Sequence, residues 1–544
     1  MAKTEFSPMM QSYLQTKEQY KDCILLYRLG DFYEMFFEDA EEASRLLELT
    51  LTGKNCGAAE RAPMCGVPYH ALDTYVARLI AAGKKVAVCE QLSEPTAGRD
   101  LVKRDVVRVI TPGTVMDSEI LQADKSNYIC ALYFDDKMGV AFCDISTGEF
   151  VASELLPTAV NKDLQELLVS YKPSEILANA DAMVFGQTLD CVKAGYMPAF
   201  TEYDNEHFNP KTATDKLLRQ YRVSTLEGFG LGGKTKAVVA CAALLDYLKE
   251  TQKRDLPHLK RISYVDKSRY MSIDVKTRRN LELTVSYREN KRQGSLLWLL
   301  DKTMTGMGAR MLANWIDRPL QKASAINARL DGVDELNLIA AANIADSLKG
   351  VYDIERLAGK ISYNNLTPKD CVTLKQSLGM LPAVKKSLAV MKSKILTGID
   401  QQIDPLPDVY RLLDRAIDEN VPAVIKDNDF INKGYNAELD ELYDLSENGA
   451  SRISQLEAYE RERSGIKTLK LGYNKIFGYY FEVSKSLVGQ VPDYFIRKQT
   501  LTTGERFVTP ELKELEERMI TAVERKSKLQ KQLFDQLRNQ LLEY

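Results

Sequence analysis

Residues 28–40 read RLGDFYEMFFEDA. A Gly30-Asp31 turn leads straight into Phe32, Tyr33 and Glu34, and what these three residues do decides how the N-terminal part of the chain is read. The plainest reading is a helix from about Phe32. Phe36, Ala40, Ala43 and Leu47 then share one face. Asp31 caps the first turn, Glu34 reaches back to complete a capping box, and Phe32 is ordinary core. A second reading makes Phe32 and Glu34 contact groups. Phe36 already serves the apolar face, and Phe32 stands beside a Gly-Asp bend, where a side chain projects outward. An exposed phenylalanine can wedge between base steps and kink a duplex, and a neighbouring carboxylate can accept a hydrogen bond from a base. On local chemistry alone, the capping reading is the stronger.

Outward from this stretch, residues 1–112 read as a mixed α/β unit. CILLYRL has strand length, LDTYVARLIAAG is a helix stopping at Gly83, and KVAVCEQL and DVVRVITPGT are β-branched runs. Residues 125–255 form a second α/β unit. Strands in YICALYFDD and MGVAFCDISTGEFVASEL turn at Asp135-Asp136-Lys137 and Ser146-Thr147-Gly148, and a helix, TKAVVACAALLDYLKETQ, closes the unit. Helical periodicity dominates from 260 to 433 and returns from 509 to 544, with SAINARLDGVDELNLI as one of its segments. Between lies a section, 434–508, in which a charged helix leads to two strands, KTLKLGYN and GYYFEVS. The fold class is therefore multidomain, α/β plus α, with a small β-rich insertion between two stretches of helix. The last helix reaches Tyr544 with no Gly or Pro stop, which leads us to expect a chain cut inside a larger protein.

The chain has 544 residues, enough for about three to five domains. Its hydrophobic share of 45% and charged share of 27% are those of a globular protein, and no apolar run is long enough to span a membrane. Nine scattered cysteines without a CxxC pair point to reduced thiols in the cytosol, and with three distant histidines they give a zinc site little support. The net charge of −3 excludes a basic nucleic-acid binder overall. Locally, residues 461–508 hold nine basic residues (Arg461, Arg463, Lys467, Lys470, Lys475, Lys485, Arg497, Lys498, Arg506) against four acidic ones. This is the strongest charge asymmetry in the chain.

Two further stretches carry chemistry on paper. GFGLGGKT, Gly228–Thr235, matches the P-loop pattern letter for letter. That pattern needs a buried strand feeding the loop, and the upstream TDKLLRQYRVSTLE reads as helix, so a glycine-rich turn is favoured. Asp144, with Asp135, Asp136 and Glu149 nearby in sequence, could begin a two-metal nuclease site. Hairpin turns are routinely acidic, however, and turn chemistry accounts for all four. Two other classes remain open on these grounds: a helical scaffold with a basic insertion, and a P-loop nucleotide-binding enzyme using Gly228–Thr235.

LYRLGDFYEMFFEDA, PMCGVPYHALDTYVARLIAAGKKVAVCEQL, VVRVITPGT, RRNLELT, LLWLLDKTMTGMGARMLANWI and LGYNKIFGYYFEVS together resemble the MutS family of bacterial DNA mismatch recognition proteins. The likeness is collinear from Phe6 to the end. It implies a mismatch-binding domain (1–112), an RNase H-like connector (125–255), a helical core and lever domain (260–433 and 509–544), and a clamp inserted in it (434–508). It implies that Phe32 stacks on a mispaired base and Glu34 hydrogen-bonds it, with Met64, Tyr69 and Arg104 near the same groove. Lys470, Lys475, Arg497 and Lys498 of the clamp would hold phosphates. No catalytic residue, metal ligand or nucleotide site is expected in this chain, since ATP and Mg²⁺ belong to the family's C-terminal ATPase domain. The implied partners are duplex DNA with mismatches or small loops, a second copy of the protein, and MutL. The implied location is the cytoplasm, with the nucleoid.

Overall fold

The structure, a computed structural model, describes residues 6–57, 60–92, 103–117, 120–188, 198–421, 429–474 and 478–544. It divides into two units, Met1–Asn365 with Met380–Asp404, and Leu366–Gly379 with Pro405–Tyr544.

The first unit opens on a six-stranded sheet: β1 (Cys23–Leu29), β2 (Phe32–Phe36), β3 (Thr52–Lys54), β4 (Ala62–Pro68), β5 (Lys85–Gln91) and β6 (Arg104–Ile110). The strand order is β3-β4-β2-β1-β5-β6. Leu29 pairs with Phe32 across a two-residue turn, so β1 and β2 form a tight hairpin. Gly30 has φ +60° there, the conformation that makes glycine the usual first residue of such a turn. This overturns the helix expected from Phe32. Strand β2 is paired on both sides, to β1 and to β4, and the helix begins five residues later as Phe37–Leu47. The capping box of Asp31 and Glu34 therefore does not exist, because no helix starts at either residue. One face of the sheet buries Ile24, Leu26, Tyr33 and Met35 under the helices Phe37–Leu47 and Leu72–Ala81. The other buries Leu25, Tyr27, Phe36 and Cys89 with Met10 and Tyr13 of the helix Pro8–Gln19.

A second six-stranded sheet follows: β7 (Tyr128–Phe134), β8 (Met138–Asp144), β9 (Glu149–Leu155), β10 (Glu175–Ala178), β11 (Ala199–Glu202) and β12 (Ser263–Tyr264). β7, β8 and β9 form the expected antiparallel meander, with turns where the sequence places them. β10, β11 and β12 join in parallel. Helix Thr235–Gln252 lies so close on β8 that a Cβ at Gly139 would sit 1.9 Å from the Lys236 carbonyl oxygen.

The connection between the two sheets is held at both ends. The buried Glu175 carboxylate accepts from Thr111 Oγ1, Gly113 N (3.3 Å) and Tyr247 Oη (2.7 Å). Further on, Arg310 donates to the carbonyl of Ala123 (2.9 Å), and Arg356 to those of Gln122 (3.0 Å) and Lys125 (2.6 Å). Both arginines come from helices, Gly306–Asp317 and Ile354–Ser362, and share Asp353 as counter-charge. The helical periodicity over SAINARLDGVDELNLI resolves into two helices, Ala323–Glu335 and Leu338–Leu348. Asn337 starts the second by accepting from the backbone N–H groups of Ile339 and Ala340.

In the second unit the long helices Ala437–Ser464 and Pro510–Leu542 flank a four-stranded antiparallel sheet. Its strands are β13 (Lys470–Asn474), β14 (Gly478–Ser484), β15 (Ile496–Thr500) and β16 (Gly504–Val508), in the order β13-β14-β16-β15. The sequence shows only the first two. β15 is exposed at every residue, so it lacks the alternation that marks a half-buried strand. Phe481, Val483, Phe495 and Phe507 fill the core beneath, with Ile453 and Leu512 from the helices.

Candidate nucleic-acid interface

Strand geometry answers the question posed by GDFYE. Side chains two residues apart in a strand share a face, so Phe32 and Glu34 point the same way and Tyr33 points the other. Tyr33 is 2% exposed and donates its hydroxyl to Glu90, whereas Phe32 is 47% exposed. Burial and the Glu90 carboxylate push the Tyr33 phenol well above its ordinary range. Phe32 is flanked by Leu29 on β1 and Pro68 on β4, so its ring stands out from a firmly paired base.

Glu34 is mostly enclosed. Its carboxylate lies 2.5 Å from Lys54 Nζ, and the pair spans the intervening strand β4, where the residue opposite Glu34 is Gly66. Met64 pairs with Phe36 and packs on the same side of the sheet. Arg104 pairs with Gln91 at the end of β6. It donates to the carbonyl of Arg28 (2.8 Å) and sets its guanidinium 5.4 Å from the Tyr27 ring, again on this side. Tyr69 does not join them. Its backbone N–H donates to Asp31 O, but its ring lies under the Arg28 guanidinium (4.2 Å) and packs against the core on the opposite face. Four of the five candidates thus share one face, and Tyr69 supports the turn from behind. Lys54 carries no signal in the sequence. It is found only because β3 pairs with β4.

The second candidate set lies on the four-stranded sheet. Arg461, Arg463, Arg497 and Arg506 are engaged by Glu457, Glu460, Glu505 and Glu482. The exposed side chains of Lys467, Lys470, Lys485 and Lys498 make no ion pair among the described residues. Lys475 lies outside the described residues. Among the described residues the basic excess therefore divides into paired arginines and lysines without an ion pair, and Arg497 belongs with the first kind.

The other two stretches are engaged within the fold. Helix Pro210–Tyr221, not a strand, precedes Gly228–Thr235. The helix N-terminus that would receive phosphate already donates to a carboxylate, from Lys236 N to Glu154 Oε2 (3.1 Å). Asp144 is fully buried and accepts from Asn127 N, Ser146 N and Ser146 Oγ. Asp135 and Asp136 pair with Lys236, and Glu149 accepts from Tyr128 Oη. Among the described residues no cluster of His, Cys, Asp and Glu could hold a metal ion, and no helix is long and apolar enough to cross a membrane.

Comparison with known proteins decides the relationship. Family models for MutS domain I, domain II and domain III match residues 7–119, 127–260 and 276–544. The chain belongs to the MutS family. It is 44% identical over 542 residues to the DNA mismatch repair protein MutS of Lachnoclostridium phytofermentans, covering 99% of this chain and 58% of that protein. It is 42% identical to MutS of Alkaliphilus oremlandii and 43% to MutS of Acetivibrio thermocellus. These alignments cover 99% and 98% of this chain and 62% of each relative. The chain thus spans about three-fifths of the length of these MutS proteins.

Proposed function

We propose that this chain recognises mispaired or unpaired bases in duplex DNA by aromatic wedge insertion, as the mismatch-sensing part of a DNA mismatch repair protein. The observation that carries the reading is the half-exposed Phe32 ring on a firmly paired strand, with the Glu34 carboxylate on the same face. Many wrong pairs must bind, and they share no donor–acceptor code. What they share is weaker stacking and an easier kink, so insertion costs least where the duplex is already weak. Phe32 supplies the wedge and Glu34 the base acceptor, while Met64 and Arg104 line the same groove. Lys470 and Lys498 hold phosphates without reading sequence.

On this reading the first sheet is the mismatch-binding domain and the second an RNase H-like connector. The third is a clamp inserted in a helical core and lever domain. We assign ATP and Mg²⁺ to the C-terminal ATPase domain of the family and place neither on this chain. A second copy of the protein and MutL are the further partners, and the setting is the bacterial cytoplasm, at the nucleoid. The test is titration of a G·T heteroduplex and its matched counterpart at two salt concentrations. Preference for the heteroduplex supports the proposal. Absence of DNA binding at low salt favours a helical scaffold instead.

A further inference from the structure

We propose that Lys54 is a positioning residue for Glu34: it holds the carboxylate beside the wedge and balances its charge next to DNA. This rests on the mismatch-recognition reading above and extends it to a residue outside the Phe-x-Glu pattern.

Three observations carry the proposal. The Lys54 ammonium is 2.5 Å from Glu34, and the two side chains are 32% and 15% exposed, so the pair is largely withdrawn from water. It closes over Gly66 of β4, where a Cβ would lie 3.5 Å from Glu34 Cγ and 3.3 Å from the Tyr33 carbonyl oxygen. Lys54 also sits on the short edge strand β3 with its ammonium 5.7 Å from the Phe36 ring, so it is anchored at both ends of its reach. A carboxylate brought up to a polyanion is repelled unless a cation accompanies it. Lys54 supplies that cation and, because the pair is enclosed, limits where the carboxylate can point. A base presented by a mismatch then meets an acceptor already placed beside Phe32.

The experiment compares wild type, K54M, E34Q, K54M/E34Q, K54R and F32A, each titrated with a G·T heteroduplex and the matched duplex at one salt concentration. K54M is expected to lower the heteroduplex-to-homoduplex affinity ratio about threefold to tenfold, the scale of coupling between residues in contact. Added to E34Q, it is expected to leave the ratio unchanged, and K54R is expected to keep the wild-type ratio. Unchanged melting temperatures separate positioning from unfolding. The proposal is overturned if K54M weakens both duplexes by one factor, which makes Lys54 a plain phosphate contact. It is also overturned if K54M lowers the ratio equally in the E34Q background. If F32A and E34Q both keep the wild-type ratio, the mismatch reading itself fails, and this proposal falls with it.

Discussion

Truncating Phe32 and Tyr33 separately is the sharpest test of the hairpin, because neighbours in a strand face opposite ways. Full burial of a phenylalanine side chain stabilises a fold by about 1.5–3 kcal/mol. Phe32 is 47% exposed, so Phe32→Ala should cost about 1 kcal/mol of stability. Base–aromatic stacking contributes about 1–3 kcal/mol per base. Losing it should lower affinity for a G·T heteroduplex roughly 5- to 150-fold and leave the matched duplex nearly unchanged. Tyr33→Ala should do the reverse. That ring is 2% exposed and hydrogen-bonded to Glu90, so its removal should cost about 3–5 kcal/mol and leave the affinity ratio of the folded fraction intact. Thermal melting and fluorescence anisotropy with labelled duplexes read both quantities. The reasoning is refuted if Phe32→Ala keeps the wild-type affinity ratio, or if it destabilises the fold as much as Tyr33→Ala does.

Replacing Lys470, Lys485 and Lys498 together by glutamine should weaken matched and mismatched DNA alike. The log–log salt slope should shrink by about 0.9 for each phosphate that is no longer neutralised, and an effect confined to mismatched DNA would contradict the proposed role. Neither the wild type nor Lys234→Ala should bind Mg-ATP in the micromolar range by calorimetry, because Glu154 already occupies the helix N-terminus behind GFGLGGKT. His258 donates from Nε2 to the Ile145 carbonyl and keeps Nδ1 buried without a partner among the described residues, and burial lowers its pKa to about 4. The folded state therefore prefers the neutral ring, while the unfolded chain takes up a proton below about pH 6.5. The stability this residue contributes is complete above that pH and is lost as the pH falls towards 4, by about 2–3 kcal/mol in all. Denaturant titrations at pH 7 and pH 4 should show a correspondingly smaller loss in His258→Gln.

The meander β7–β9 and the helix Thr235–Gln252 were legible in the sequence as long apolar runs bounded by turn residues, and the long terminal helix by its repeating apolar stripe. The first hairpin was not, although its signal is present: CILLYRL and FYEMF are separated by only two residues, Gly30-Asp31. The helical face Ala40, Ala43, Leu47 extrapolates backward through Phe36, and the pattern conceals that Phe36 is the last strand residue. Phe37 then takes a left-handed φ of +53°, a break no propensity forecasts for an aromatic residue. Phe32 and Glu34 were found as candidates from their chemistry, but they share a face because of the strand. Lys54 and the separation of Tyr69 from the group depend on pairing between distant strands, which one sequence does not reveal. The basic excess of residues 461–508 was countable, yet its division into paired arginines and lysines without an ion pair required the neighbouring carboxylates.

The grip on the connection between the two sheets has a consequence for how that stretch can vary. Arg310 and Arg356 take hold of it through the carbonyls of Gln122, Ala123 and Lys125, groups that every amino acid supplies. The identities of these three side chains are thus largely free to drift, while the number of residues from Gln122 to Tyr128 is not. Adding or removing one residue beside these carbonyls shifts them past their arginines and takes three backbone acceptors from two buried guanidinium groups, which then keep only the Asp353 and Glu355 carboxylates. Substitution should be cheap here and a change of length severe, the opposite of what an exposed inter-domain linker tolerates.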